Sequence, residues 1–408
     1  MIKSYLTQYS GISTPCWQRI LISFLFSITR GLFFFLSLYF VKDLHMNIAT
    51  AGLAVSCYGM GAVLGSFIGG KLSDIISSNK VGIISLLLNA LILFALANVS
   101  HTNMLMIVSF LWAAFAYSFL TANHAWILER TQMNEAERLK VLNVLYAAAN
   151  LGIFVSAGVV GFSDLYGFKT IFVGSGIVLV IITLWLVYKS CKTQAHTSPS
   201  ILSLSQGNDA NEQQANPNSG NAKVFWLSIV CLFFVSLIVT MKSTVYTIYL
   251  HSAFPQFSVK GVSFIFALNP LLVVLFQTPL VNWFRSRNKM WVMGFGGLLM
   301  GVGMLILPFS LWFAFAILSA IIYTLGEMIF TVINELAIYQ SCKAGKKGQA
   351  LGVFRLVYAL SMIAGPALSG YLYDQLGSNA VWYVSFVIGL LFFVFCYAYR
   401  HYYRMPSQ

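Results

Sequence analysis

Apolar runs recur along the whole chain, and each is about 20 residues long, enough to cross roughly 30 Å of hydrocarbon as a helix. Of the 408 residues, 59% are hydrophobic and only 9% are charged, whereas about a quarter are charged in a soluble domain. The sequence therefore predicts an all-α integral membrane protein in a lipid bilayer. About twelve runs can be counted, at roughly 16–41, 49–70, 81–99, 103–128, 139–162, 168–188, 224–250, 258–283, 290–309, 311–340, 348–373 and 378–400.

Basic residues collect between alternate runs. The formal charge is +13, yet this alternation is the positive-inside pattern of membrane proteins and does not indicate a nucleic-acid partner. It predicts a multi-pass protein of the cell inner membrane with both termini in the cytoplasm. The first run is too long for a cleavable signal peptide and contains Arg30, so we expect it to be a retained helix. The basic groups are Lys71 and Lys80; Arg130, Arg138 and Lys140; Lys189, Lys192 and Lys223; Arg285, Arg287 and Lys289; Lys343, Lys346 and Lys347; Arg400 and Arg404.

The middle of the chain has a different composition, rich in Ser, Asn, Gln and Pro. Too little of it is apolar to be buried, so we expect a disordered cytoplasmic linker at residues 189–223. This linker separates a six-helix bundle at 1–188 from a second one at 224–408.

The two halves also repeat each other at an offset of 210 residues. The motif that runs from Asp164 to Gly167 returns from Asp374 to Gly377. The same offset places three polar residues of the fourth run opposite three of the tenth. Parallel repeats on both sides of a linker are typical of one large class of transporters. Tyr117, Thr121 and His124 correspond in the repeat to Glu327, Thr331 and Asn334, and we expect each set to lie on one face of its helix.

The loop between the second and third runs, "GKLSDIISSNK" at residues 70–80, resembles the signature loop of the major facilitator superfamily. Gly70, Leu72, Asp74 and Lys80 match that signature, while Ile75 stands in place of its Arg. Gly326-Glu327 and Gly365-Pro366 are similar to motifs of bacterial proton-linked carriers in this superfamily, although the usual Arg of the fourth span has no counterpart. The resemblance covers nearly the whole chain.

The resemblance implies two six-helix bundles related by pseudo-two-fold symmetry, with alternating access to a solute site between them. A carboxylate such as Asp74, at the end of a span, can bind a neighbouring helix N-terminus and hold the two halves together. Gly70 and Asp74 are therefore our candidates for a conformational gate, and the alternative is an ordinary interface charge.

Three ionisable residues, Arg30, Lys242 and Glu327, lie deep inside apolar runs. A charge at membrane depth costs several kcal/mol, about 2.5 to 3.5 on insertion scales, so it usually faces a cavity or a pathway. We expect Glu327 to carry a coupling proton. The alternative is that the three charges pair with one another and only hold helices together. The predicted substrate-binding residues are Arg30, Lys242, Tyr246, Tyr117, His124 and Asn334.

Two buried cations against one acid favour an anionic solute. The predicted function is therefore a proton-coupled secondary transporter of a small organic anion, acting as a monomer without a cofactor. A proton-driven multidrug or metabolite exporter and an importer of a carboxylate siderophore are the alternatives. The sequence has no HExxH, GxSxG or Walker A motif and no CxxC pair among its six cysteines, so it indicates neither an enzyme, an ATP-driven pump nor a metal site. Gly61, Gly65 and Gly69 predict a close helix contact. Asn269-Pro270 predicts a bend in its helix, because the proline lacks a backbone donor. We expect Glu335 and Arg355 to form a structural pair.

Overall fold

The computed structural model describes residues 12–130, 135–194, 222–284, 287–341 and 347–400. These residues form twelve long helices, each apolar enough to cross a membrane, which confirms the predicted number of spans. Helix α1 contains a turn of 3-10 helix at Gly31–Phe35. The helices are α1 Thr14–Lys42, α2 Ile48–Ile75, α3 Ser78–Asn98, α4 Thr102–Arg130, α5 Glu135–Val160, α6 Ser163–Gln194, α7 Ala222–Ala253, α8 Ser258–Phe284, α9 Lys289–Leu305, α10 Phe313–Ser341, α11 Lys347–Leu376 and α12 Ala380–Tyr399.

Helices are the expected solution because hydrocarbon offers no water to the backbone, so each segment must satisfy its own N–H and C=O groups. Side chains satisfy some of the donors that remain at helix starts. Asn47 accepts a hydrogen bond from the Thr50 N–H at 2.7 Å at the start of α2, and Asn288 accepts one from Trp291 N–H at 3.2 Å at α9. Most connections between the described helices are short, so consecutive helices run antiparallel.

The predicted linker is bounded by helices that extend slightly into it. Helix α6 continues to Gln194 and α7 begins at Ala222. The rest of the predicted linker, residues 195–221, lies outside the described residues.

Helix packing follows the internal repeat. Within the first half α1 packs on α5 and α3 packs on α6, and the equivalent pairs α7–α11 and α9–α12 pack within the second half. Between the halves, α2 packs on α11 and α5 packs on α8, and these two pairs exchange under the same symmetry. The repeated glycines Gly167 and Gly377 share a left-handed backbone, with φ of 76° and 90°. The repeat that was predicted from short motifs therefore extends to helix packing.

Helices α2 and α4 approach each other closely along the predicted glycine ridge. A Cβ atom at Gly61 would lie 2.0 Å from the Phe110 carbonyl oxygen, and one at Gly65 would lie 2.0 Å from that of Ala114. Only glycine leaves room for such a backbone contact.

We call the end of the molecule where α1 finishes and α6 begins the Asp164 end, and the opposite one the Asp74 end. The described hydrogen bonds between the halves lie at mid-depth or nearer the Asp164 end. Ser37 Oγ of α1 donates to the Thr244 carbonyl of α7 at 2.5 Å. The Phe34 and Phe35 rings of α1 lie 5.0 and 5.1 Å from the Phe266 ring of α8, between centroids. These contacts close the Asp164 end.

Candidate functional site between the two halves

Among the described residues, two cavities lie between the halves, and they share one residue, Tyr358 of α11. The Glu327 cavity has a volume of about 330 Å³ and is bounded by α5 of the first half and α7 to α11 of the second. The His124 cavity has a volume of about 590 Å³ and is bounded by α2, α4 and α11. Both lie where alternating access requires a solute site, at the interface of two repeats.

Glu327 lies at the middle of α10, and its carboxylate lines the cavity named after it. Asn269 Nδ2 of α8 donates to Glu327 Oε2 at 2.6 Å and also contacts Thr324 Oγ1 at 3.1 Å. Asn269 precedes Pro270, which lies inside α8 and has no backbone N–H to donate. A second carboxylate, Glu335, lines the same cavity two turns further along α10. The described lining thus holds two acids and no basic residue.

Lys242 is buried next to this cavity and does not line it. Its side chain is only 8% exposed, and its ammonium lies 3.6 Å from the centroid of the Tyr323 ring. Cation–π contact with Tyr323 and Tyr246 takes the place of a close anion, because no described carboxylate lies within 4.0 Å of this ammonium. Glu327 acts on it electrostatically from further away. The Tyr246 hydroxyl is buried without a described hydrogen-bond partner.

Arg30 immediately precedes the 3-10 turn of α1, and its Nε is buried without a described hydrogen-bond partner. The guanidinium acts electrostatically on Tyr58 of α2, His124 of α4 and Tyr358 of α11. It acts in the same way on Tyr146, which lines the Glu327 cavity, so Arg30 influences both cavities although it lines neither of them. The binding roles of Arg30 and Lys242 stay predictions.

The His124 cavity gathers several of the predicted residues. Tyr117, Thr121 and His124 line it from α4, as their common helix face predicts, and Arg355 lines it from α11. The Tyr117 hydroxyl lies 3.9 Å from Met362 Sδ of α11, across the interface. Arg355 also acts electrostatically on His124. The cavity therefore combines a basic edge with hydroxyl groups.

Asn334 does not line either cavity. Its side chain is completely buried, and neither atom of its amide has a described hydrogen-bond partner. Its role in binding stays a prediction.

The predicted gate residues, Gly70 and Asp74, lie near the last residues of α2, at the Asp74 end of the molecule. Gly70 lies in contact range of Thr121, since a Cβ atom there would be 3.6 Å from Thr121 Cγ2. Asp74 is exposed and makes no hydrogen bond or ion pair with any described residue. The facing start of α11 has side chains outside the described set, so the gate at Asp74 stays a prediction.

Sequence reasoning missed several residues that the structure places at the interface. Asn269 was visible only as part of a proline bend, and Tyr358 and Tyr146 were hidden among many aromatic residues. Arg355 was predicted to pair with Glu335, but the two do not form an ion pair within 4.0 Å in the described structure. A polar residue directly before a mid-helix proline was the available signal for Asn269.

Comparison with known proteins agrees with this architecture. The sequence profile of the Major Facilitator Superfamily matches residues 20–359 and 224–407. The chain is 23% identical over 378 residues to the uncharacterized MFS-type transporter YqjV of Bacillus subtilis (strain 168), covering 89% of this chain and 88% of that protein. It is 25% identical over 364 residues to YttB of the same organism, covering 85% and 84%.

Solved structures share the fold. The crystal structure of a POT family transporter in complex with 5-aminolevulinic acid superposes with a TM-score of 0.77 at 14% identity, covering 97% of this chain and 98% of that one. At this identity the likeness concerns the fold alone. Because the family profile spans most of the sequence and twelve helices are long enough to cross a membrane, the chain belongs to the Major Facilitator Superfamily and is a multi-pass secondary transporter, not an enzyme.

Proposed function

We propose that this transporter couples the movement of a small organic anion to protons, with Glu327 as the proton carrier. The observation that carries the proposal is the position of Glu327 at mid-span, in a cavity between the halves, with one amide donor and no salt bridge within 4.0 Å among the described residues. A carboxylate in that setting can exchange its proton without first breaking an ion pair. Its longer-range electrostatic interaction with Lys242 gives protonation a way to change the packing of α7 against α10.

The His124 cavity is the proposed solute site. Its volume of about 590 Å³ falls within the range of roughly 300 to 1,000 Å³ that is usual for small-molecule pockets. Arg355 at its edge supplies positive charge and Arg30 acts electrostatically on His124, while Tyr117 and Thr121 supply hydroxyl groups. These groups suit a carboxylate or phosphate. Separate cavities for the proton and the solute, joined at Tyr358, support coupling through the shared helix α11.

The closed Asp164 end supports the alternating-access part of the proposal. Together with the positive-inside pattern, it supports a conformation that is open to the cytoplasm, in the inner membrane.

A second candidate is a proton-driven exporter of cationic compounds. One observation favours it: Glu327 and Glu335 line a cavity whose other walls include the aromatic residues Phe330, Phe354 and Tyr358. Carboxylates with aromatic faces suit an organic cation. In that case the Glu327 cavity is the solute site.

One experiment separates the solute classes. The purified transporter is screened by thermal shift against organic acids, phosphate esters and cationic dyes, since a bound solute stabilises the folded state. Stabilisation by acids or phosphate esters is expected, and stabilisation by cationic dyes alone would favour the exporter.

The proton role is tested with the solute identified in that screen. In proteoliposomes, Glu327→Gln should abolish uptake driven by a proton gradient while sparing solute exchange, because the neutral amide cannot carry a proton. Glu335→Gln is the matched control, with one acid removed from the same cavity, and should retain driven uptake. Unimpaired uphill uptake by Glu327→Gln would refute the proton role.

A further inference from the structure

Asp164 makes an unusual set of contacts at the closed end. Its Oδ1 lies 2.5 Å from Lys42 Nζ of α1, in the same half. Its Oδ2 accepts two hydrogen bonds from the other half, from Ser258 Oγ at 2.6 Å and from the Val259 N–H at 3.0 Å. Ser258 and Val259 are the first two residues of α8. A carboxylate of the first half thus caps the start of a helix of the second half.

The start of α8 needs such a partner. The first N–H groups of a helix have no partner inside the helix, and a negative charge near them is favourable. Ser258 also has a φ of 51°, a left-handed conformation that side-chain-bearing residues rarely adopt. When the halves separate at this end, these groups lose the carboxylate that satisfies them.

The internal repeat supplies a comparison within the same molecule. Ile48, the first residue of α2, is the counterpart of Ser258 at the offset of 210, and Asp374 is the counterpart of Asp164. There α2 is capped by its own residue, Asn47. Asp374 Oδ2 accepts its described hydrogen bond from Nε2 of its neighbour Gln375, at 3.3 Å. The repeat thus has one helix capped from within and one capped from the opposite half.

The geometry points to Asp164 as the gate residue that holds the Asp164 end closed, by capping α8 across the interface. Nothing in this inference depends on the identity of the solute or of the coupling ion. The sequence does not indicate the partners of Asp164, which is recognisable there only as part of a repeated motif.

If Asp164 holds this end closed, its replacement should raise the fraction of molecules that are open at this end. Ser37 is completely buried on α1 just behind the gate, and its Oγ contacts α7. In a background without native cysteines, Ser37→Cys reacts with a hydrophilic maleimide only in molecules that have opened locally. When reclosing is fast, the labelling rate is proportional to the open fraction. The measurement uses the full-length protein without solute or proton gradient, so it is independent of the proposed proton role.

Asp164→Ala should raise the labelling rate of that cysteine roughly tenfold or more, because alanine has no oxygen to accept the two hydrogen bonds from α8, and this is the size expected for the loss of a hydrogen bond to a charged group. Asp374→Ala is the matched control at the symmetry-related position and should leave the rate unchanged. Lys42→Gln should have a smaller effect than Asp164→Ala, since Lys42 and Asp164 belong to the same half and the carboxylate that caps α8 is kept.

Equal labelling rates in Asp164→Ala and the parent would overturn the inference, and so would equal acceleration by Asp374→Ala. If Asp164→Ala fails to fold, Ser258→Ala decides, because it removes one bond across the interface and keeps the charge pair. A faster rate in Ser258→Ala supports the gate, and an unchanged rate rejects it.

Discussion

The contact between α2 and α4 leaves no room for a side chain at Gly65. A Cβ atom at Gly65 would lie 2.0 Å from the Ala114 carbonyl oxygen and 2.6 Å from its Cα and C atoms. Because these are backbone atoms, no side-chain rotation relieves the overlap. In Gly65→Ala, α4 must retreat by about 1 Å, and such overpacking typically costs about 1–3 kcal/mol. Part of this cost is offset by the better helix propensity of alanine, about 1 kcal/mol.

The control for this prediction is a glycine with free space around it. Nothing lies within 4 Å of a Cβ atom built at Gly158 of α5 or at Gly174 of α6. We expect Gly65→Ala to lower the midpoint of thermal unfolding, followed by tryptophan fluorescence in detergent, whereas Gly158→Ala should leave it unchanged or raise it. A common midpoint for Gly65→Ala and Gly158→Ala would refute the close-contact reasoning. The same contact makes α2 move with α4, so Gly65→Leu should also slow transport.

Further predictions concern the interface. Asn269→Leu should weaken driven uptake and spare solute exchange, because it removes a hydrogen bond to a carboxylate, worth about 1.5–3 kcal/mol; unchanged driven uptake would exclude a role for this amide. Arg30→Gln should lower the affinity for an anionic solute in a binding titration, and Lys242→Gln should lower it less, because the Lys242 ammonium is buried against the rings of Tyr246 and Tyr323. Equal affinity in Arg30→Gln and the parent would count against the anion. Deleting residues 200–218 should leave transport intact, as measured by uptake in proteoliposomes, and lost uptake with normal insertion would contradict a simple tether.

Much of the fold could be predicted from the sequence because a bilayer allows very few backbone structures. Each apolar run had to become a helix, since unpaired backbone groups are too costly in hydrocarbon. The repeat of Asp164 and Gly167 at Asp374 and Gly377 was enough to relate the halves, and the structure confirms equivalent helix pairs. The face that carries Tyr117, Thr121 and His124 followed from the period of a single helix, and all three line one cavity.

The site was harder to predict because it depends on contacts between distant helices. Arg30 and Lys242 were both predicted to bind the solute, yet neither belongs to the described lining of either cavity. Asn334 shares a helix face with Glu327 in the sequence pattern but is completely buried away from the cavity. A helix period gives the directions of side chains relative to one another. It does not give the rotation of the helix against its neighbours, and that rotation decides whether a side chain meets a cavity or another helix.

The sequence by itself determined the class of the protein: its twelve spans, its two related halves and the residues whose charge is costly at depth. The tertiary structure decided which of these residues meet. It placed Asn269 on Glu327, Lys242 on the ring of Tyr323, and Asp164 on the start of α8. The physical reason is that membrane insertion is governed by the composition of each helix, whereas these contacts depend on how separately inserted helices rotate and pack.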